Sequence, residues 1–223
     1  MQDAVTTNVS EFHSVDEIYF FMDEMFTEGF DEKHINIALD VFLRDFDQFE
    51  ESDLDKPTFK SFVRELGLNL ITFTEEKSFV KAARFMDWYC VTDTYLWVNL
   101  EQFIIKKESR FSAKSLIAIT SHFAAQLEGS RDFYDFIEFQ YNSKKFAECS
   151  THDMISLVYS FYTVHAGTHS FLQGMAYDEL LERLDDKVTT YDLLRVLQAF
   201  SEISDNFPKL FIQLERLFTR RFD

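Results

Sequence analysis

Apolar residues recur along this chain with a period close to 38. Phe79, Leu116, Met154 and Leu193 stand 37, 38 and 39 residues apart. Seven positions after each comes a second apolar residue: Met86, Phe123, Phe161 and Phe200. Ten further on comes a third (Leu96, Phe133, Phe171, Leu210), and four beyond that a fourth (Leu100, Ile137, Met175, Leu214). Steps of seven and four return to one face of an α-helix. A step of ten crosses a turn into a second helix. Each unit therefore reads as helix, short turn, helix, and self-similarity at such a period marks stacked helix pairs.

The same 7, 10, 4 spacing fits Ile18, Met25, Ile35 and Leu39, with one additional helix between that unit and the next. The pattern predicts about eleven helices, at roughly 14–29, 31–49, 57–70, 74–91, 93–108, 112–128, 131–147, 151–166, 169–185, 190–204 and 207–221. Local signals agree. Ser14 with Glu17 forms a capping box, and Thr74, Ser112, Ser150 and Thr189 are N-caps for later helices. Gly29, Gly129 and Gly167 stand where first helices should close through a left-handed residue. Pro57 and Pro208 fall in first turns, where a missing N–H costs little. Only 5 Gly and 2 Pro occur, too few turn residues for a fold of many hairpins. The expected fold is all-α: a tail over residues 1–13, then one domain over 14–223. That domain is a short right-handed α-solenoid of antiparallel helix pairs.

Repeats of this length and spacing, carried by the four units from Phe79 to Phe222, resemble the octotricopeptide repeats and the related helical repeats of FAST-kinase-like organellar proteins. The resemblance lies in period and apolar spacing. The chain lacks that consensus' Pro-Pro-Pro-Glu-Trp-like stretch, so no functional residue is carried over. The resemblance implies an organellar setting, in mitochondria or chloroplasts, and a family that acts mostly on RNA.

Charge points elsewhere. The net charge is −17, from 39 acidic and 22 basic residues. Residues 1–55 hold 16 Asp and Glu against Lys33 and Arg44, a net of −14; residues 56–223 hold 23 acidic and 20 basic residues, a net of −3. The acidic segment repels a polyanion, and it is either a surface that steers a basic protein toward itself or a solvated face that keeps the chain soluble. One basic feature recurs: Lys106-Lys107, Lys144-Lys145, Arg183 and Arg220-Arg221 fall near the C-terminal ends of successive second helices. There they meet the negative end of the helix dipole, or form a ridge for a phosphate or an acidic partner.

The 27 Phe, 9 Tyr and 2 Trp either fill the core or include rings buried against another protein. The helix over 131–147 poses that choice most sharply. Phe133, Tyr134, Phe136, Ile137, Phe139 and Tyr141 spread over more than half its circumference. Either neighbouring repeats cover it on both sides, or it offers an aromatic docking surface. Cys90 and Cys149 have no metal-type spacing and sit within apolar patterns, as core residues do.

The sequence holds no Gly-rich phosphate loop, Gly-x-Ser-x-Gly elbow or His-Glu-x-x-His helix. The carboxylate-rich stretch from Asp45 to Asp55 lacks the Gly and ligand order of an EF-hand. His165 and His169 have helical metal spacing, but Gly167 between them should end the helix. No cofactor or metal is expected. No segment approaches the roughly 20 apolar residues of a membrane-spanning helix. The reading is a non-enzymatic helical-repeat scaffold, a protein-binding subunit of a larger, mitochondrial assembly. It is intracellular, soluble or peripheral, and binds other protein subunits, with a basic partner surface opposite residues 1–55. The alternative is an organellar RNA-binding helical-repeat protein, and a third reading is a helical enzyme with an unrecognised site.

Overall fold

A computed structural model describes residues 14–28, 31–143 and 146–222. The expected tail over 1–13, Gly29 and the Lys144-Lys145 pair lie outside the described residues. All regular structure among the described residues is helical, with no strand. Where the sequence reading drew one domain, the chain forms two compact units, Met1–Phe103 and Ile104–Asp223.

The first unit contains α1 (Val15–Glu28), α2 (Glu32–Arg44), the single turn α3 (Glu51–Leu54), α4 (Pro57–Asn69), α5 (Glu76–Trp88) and most of α6 (Thr94–Lys106). Asp31 caps α2, its carboxylate accepting the N–H groups of Lys33 and His34 at 2.9 and 3.0 Å. The predicted helix over 31–49 closes early, at Arg44, where the Asp45 N–H still reaches the Val41 carbonyl before a 3-10 turn takes over. Around Phe42 converge Phe49, Phe59, Phe62, Phe85 and Tyr89, with ring centroids 4.9–5.7 Å away. Ring pairs at such distances contribute about 0.5–1.5 kcal/mol each beyond the area they bury.

The helix that stacks on α5 is α2. The Asn36 amide donates to the Ser78 hydroxyl at 2.8 Å, and Lys81 pairs with Asp40 at 2.6 Å. Ile18, Met25, Ile35 and Leu39 are all buried, as their spacing predicts. α1 packs chiefly on α4 and also meets α2, which in turn packs most on α5. Glu32 decides the turn into α5. Its carboxylate accepts the Thr74 N–H at 2.9 Å, the Thr74 hydroxyl at 2.8 Å, the Glu75 N–H at 3.2 Å and the Ser78 hydroxyl at 3.0 Å. Thr74 is thus not the N-cap of α5. Its N–H and hydroxyl both donate to Glu32, and Glu75 stands at the N-cap, so the helix opens one residue later.

The second unit contains α7 (Ala113–Ala125), α8 (Arg131–Asn142), α9 (Thr151–Thr163), α10 (His169–Gln173), α11 (Leu181–Arg183), α12 (Thr190–Phe200) and α13 (Pro208–Phe222). A π-helical segment, Gly174–Leu180, joins α10 to α11, so these three read as one helix. α9 packs against both α7 and α12. Ser112, Ser150 and Thr189 cap these three first helices, each side chain accepting the N–H three residues on. The 16 anchors from Phe79 to Leu214 are all at most 2% exposed.

Three first helices, α5, α7 and α9, also close in one way, while α12 runs on into a 3-10 segment. The N–H groups of Val91, Glu128 and Ala166 reach back to the carbonyls of Met86, Phe123 and Phe161 at 2.8, 2.9 and 2.9 Å. The left-handed residues at these closures are Cys90, Leu127 and His165, at φ 48, 56 and 53°. The sequence assigned this role to glycines, but Gly129 and Gly167 come two residues later, at φ 97 and 95°. They let the chain pass close to rings. A Cβ on Gly129 would lie 2.9 Å from Tyr134, and one on Gly167 3.1 Å from both Phe161 and Phe171. Beneath them Phe123 stacks on Phe133 at 4.6 Å and Phe161 on Phe171 at 4.4 Å. Cys90, expected in the core, is exposed at its closure, whereas Cys149 is buried and its thiol is pushed up by that burial.

Candidate docking surfaces

The aromatic helix α8 is covered from within its own unit. Phe133 and Tyr134 are buried, the Tyr134 ring standing 5.4 Å from that of Phe161 and its hydroxyl donating to the Glu128 carbonyl at 2.9 Å. Tyr141 is half-buried against Phe171 at 5.2 Å. Burial, then the Glu179 and Asp178 carboxylates, push its phenol up to about 12. Phe136 is half-buried, and only Phe139, 63% exposed, faces outward. The expected docking set of Phe133, Tyr134, Phe136, Phe139 and Tyr141 is therefore not one surface. Because α8 is flanked by α7 and by the next pair, its rings divide between both contacts.

The recurring basic residues are engaged at home. Arg183 donates to the carbonyls of Cys149 at 2.6 Å and Ala147 at 3.3 Å, and pairs with Glu179. Arg221, 38 residues later, does the same in the last pair, donating to the carbonyls of Val188 and Asp186 and to the Thr190 hydroxyl. Arg220 pairs with Asp186 at 3.3 Å. Each arginine ties the end of a second helix to the loop that precedes its own first helix. Arg183, Arg220 and Arg221 thus all have partners within the fold. Lys106 is exposed in the last turn of α6, and Lys107 is half-buried just beyond it.

Part of the acidic excess is likewise used internally. Lys56 pairs with Asp16 and Asp53, Lys60 with Asp55, Arg44 with Asp45. The Asp53 carboxyl is held below the usual range by the Glu50 N–H, burial opposing, with help from Lys56. His165 closes α9 while His169 opens α10, so the two share no helix and no helical metal geometry. His152 instead meets the buried Asp192 carboxylate at 3.1 Å, joining α9 to α12.

Two surface features escape the repeat pattern. The first is a groove of about 480 Å³ in the first unit, lined by α4 and the start of α6. Gly67 lies on its floor, where a Cβ would come 3.3 Å from Leu96. Leu68, Ile71 and Tyr95 rim it at 61, 61 and 74% exposure, with Arg64 and Lys60 alongside. A signal existed: Phe59, Phe62, Leu66 and Leu70 form the buried stripe of this segment, and Leu68 and Ile71 fall off it. The second feature is Arg195, whose guanidinium lies 4.5 Å from the Tyr159 ring and 5.5 Å from Tyr191, and donates to Ser156 at 3.1 Å. Tyr191 beside it holds the position of Lys114 and His152 in the two preceding first helices.

The fold and these surfaces define an all-α protein with internally repeated helix pairs and a concentrated apolar groove. No protein-family model matches the chain, and no curated protein matches it as a relative. No helix among the described residues is long and apolar enough to cross a membrane.

Proposed function

We propose that the chain is a non-enzymatic, protein-binding scaffold subunit of a larger assembly, docking an apolar segment of a partner in the α4–α6 groove. The observation that carries this is the convergence of Leu68, Ile71 and Tyr95, each more than 60% exposed, around one concavity. Exposed apolar residues gathered at a groove mark interaction sites, while scattered ones need no explanation. Arg64 on the rim selects a carboxylate beside the apolar anchor. The acidic excess of residues 1–55 steers partners with a basic surface. The period and spacing shared with organellar repeat proteins make mitochondria the compartment to examine first.

The test is native purification of the tagged chain beside a Leu68→Glu, Ile71→Glu variant. Both side chains are solvent-facing, so far-UV circular dichroism and Tm should stay unchanged. Loss of the co-purifying subunits supports the proposal. Full recovery of those subunits with the folded variant refutes it.

The alternative, single-stranded RNA binding, is favoured by one feature: Arg195 beside Tyr159 and Tyr191, with His152 and Lys114 at the positions that match Tyr191. Aromatic and cationic side chains together suit bases and phosphates. Salt-dependent RNA retention abolished by Arg195→Ala would favour it.

A further inference from the structure

The pair α12 with α13 repeats the forward-facing positions of the earlier pairs, and among the described residues these positions are open. Forward is defined by the bonds between first helices: Ser121 of α7 meets Ser160 of α9, and His152 of α9 meets Asp192 of α12. Ile117 and Ile155 lie on these forward faces and are 3 and 0% exposed. Leu194 holds the matching position in α12 and is 45% exposed. Thr120 and Val158 are fully buried, while Leu197, their counterpart, is only half-buried. On the second helices, Tyr134 reaches forward to Phe161, and its counterpart Phe211 in α13 is half-buried.

One polar position says what belongs there. Glu138 of α8 caps the next second helix, accepting the Thr168 N–H at 3.0 Å and the Thr168 hydroxyl. The following pair has Ala176 at this position. The helix it faces needs no carboxylate, because α13 opens with Pro208 and the Phe207 N–H is already bound to the Ser204 carbonyl at 2.9 Å. In α13 the carboxylate returns as Glu215, and it is exposed. An acidic side chain aimed along the stacking direction is suited to the unsatisfied N–H groups and positive dipole end of an incoming helix.

We propose that this end of the second unit is a docking face for a helix pair supplied by a partner protein. The incoming first helix covers Leu194, Leu197 and Phe211. The incoming second helix opens with Ser or Thr, whose N–H and hydroxyl are held by Glu215. This face is separate from the α4–α6 groove and stands without it.

A photo-crosslinking residue replacing Tyr191 in the full chain, activated in the native host, tests this by mass-spectrometric mapping. Tyr191 is 65% exposed beside Leu194. The expected product joins another protein within a helix pair whose second helix starts with Ser or Thr. Glu215→Gln in the same chain should weaken the association roughly tenfold, the loss expected from a charged hydrogen bond. A crosslinker at Ile212, 64% exposed but matching the outward positions of Gln173 and Asp135, should not give this product. Crosslinking to a second copy of the chain, to a segment that is not a helix pair, or to nothing overturns the proposal. So does a yield indifferent to Glu215→Gln.

Discussion

Glu138 caps Thr168 across 30 residues of chain, its carboxylate accepting both the backbone N–H and the hydroxyl of that residue. Glu138 is 8% exposed, whereas Thr168 lies at the surface. Glu138→Ala should cost about 1.5–3 kcal/mol of stability, the contribution of hydrogen bonds to a charged group. Thr168→Ala should cost less, about 1 kcal/mol, and the double variant should fall short of the sum. Urea denaturation of the four proteins measures the coupling. Strict additivity would mean the two residues do not act together.

Tyr134 and Phe139 lie five residues apart on α8 and should respond oppositely. Tyr134→Ala removes a buried ring and should destabilise by about 3–5 kcal/mol. Phe139→Asp replaces an exposed ring and should stay within about 0.5 kcal/mol of the parent. Thermal unfolding followed at 222 nm separates the two cases.

Arg183 and Arg221 should behave as a matched pair. Arg183→Ala and Arg221→Ala each free carbonyls that the guanidinium bridges, at about 1–2 kcal/mol each. Lys106→Ala, at an exposed site of the same sequence pattern, should change stability by less than about 0.5 kcal/mol. Equal small effects at all three positions would contradict the tie to the preceding loop.

Acid should loosen the contact between α2 and the entry to α5. Burial raises the Glu32 pKa, but the hydrogen bonds from Thr74, Glu75 and Ser78 outweigh it, leaving the group below its ordinary 4.5. A depressed folded pKa contributes stability that is present above the unfolded value and lost as pH falls through the folded one. Stability should therefore drop below about pH 4.5 more steeply in the parent than in Glu32→Gln. Chemical denaturation across pH 2.5–7, a range of roughly physiological to acid-unfolding conditions, supplies the comparison.

The legible part of this protein was its helical core. Burial of an anchor such as Phe123 or Met175 depends on periodicity, and periodicity is a local property of the chain. The N-caps Ser112, Ser150 and Thr189 were equally legible, because a cap needs only its own side chain and the next turn. Thr74 was misread for the complementary reason: its hydroxyl is turned to Glu32, 42 residues away, and the helix starts one residue later. The aromatic girdle of α8 could not be apportioned between core and surface, since one helix does not reveal how many neighbours it has. The α4–α6 groove went unseen because Leu68 and Ile71, off the buried stripe, look like ordinary scattered surface residues until α6 is placed beside them.

What the sequence by itself determined was the helical class, the repeat length and the identity of the buried anchors, all written in spacings of a few residues. Tertiary structure alone decided that α2 rather than α1 stacks on α5, that arginines 38 residues apart bind loops instead of ligands, and that Leu194 and Glu215 remain open. Each of these depends on which surfaces meet across 30 or more residues, where many apolar pairings satisfy one pattern and only packing with hydrogen-bond geometry selects among them.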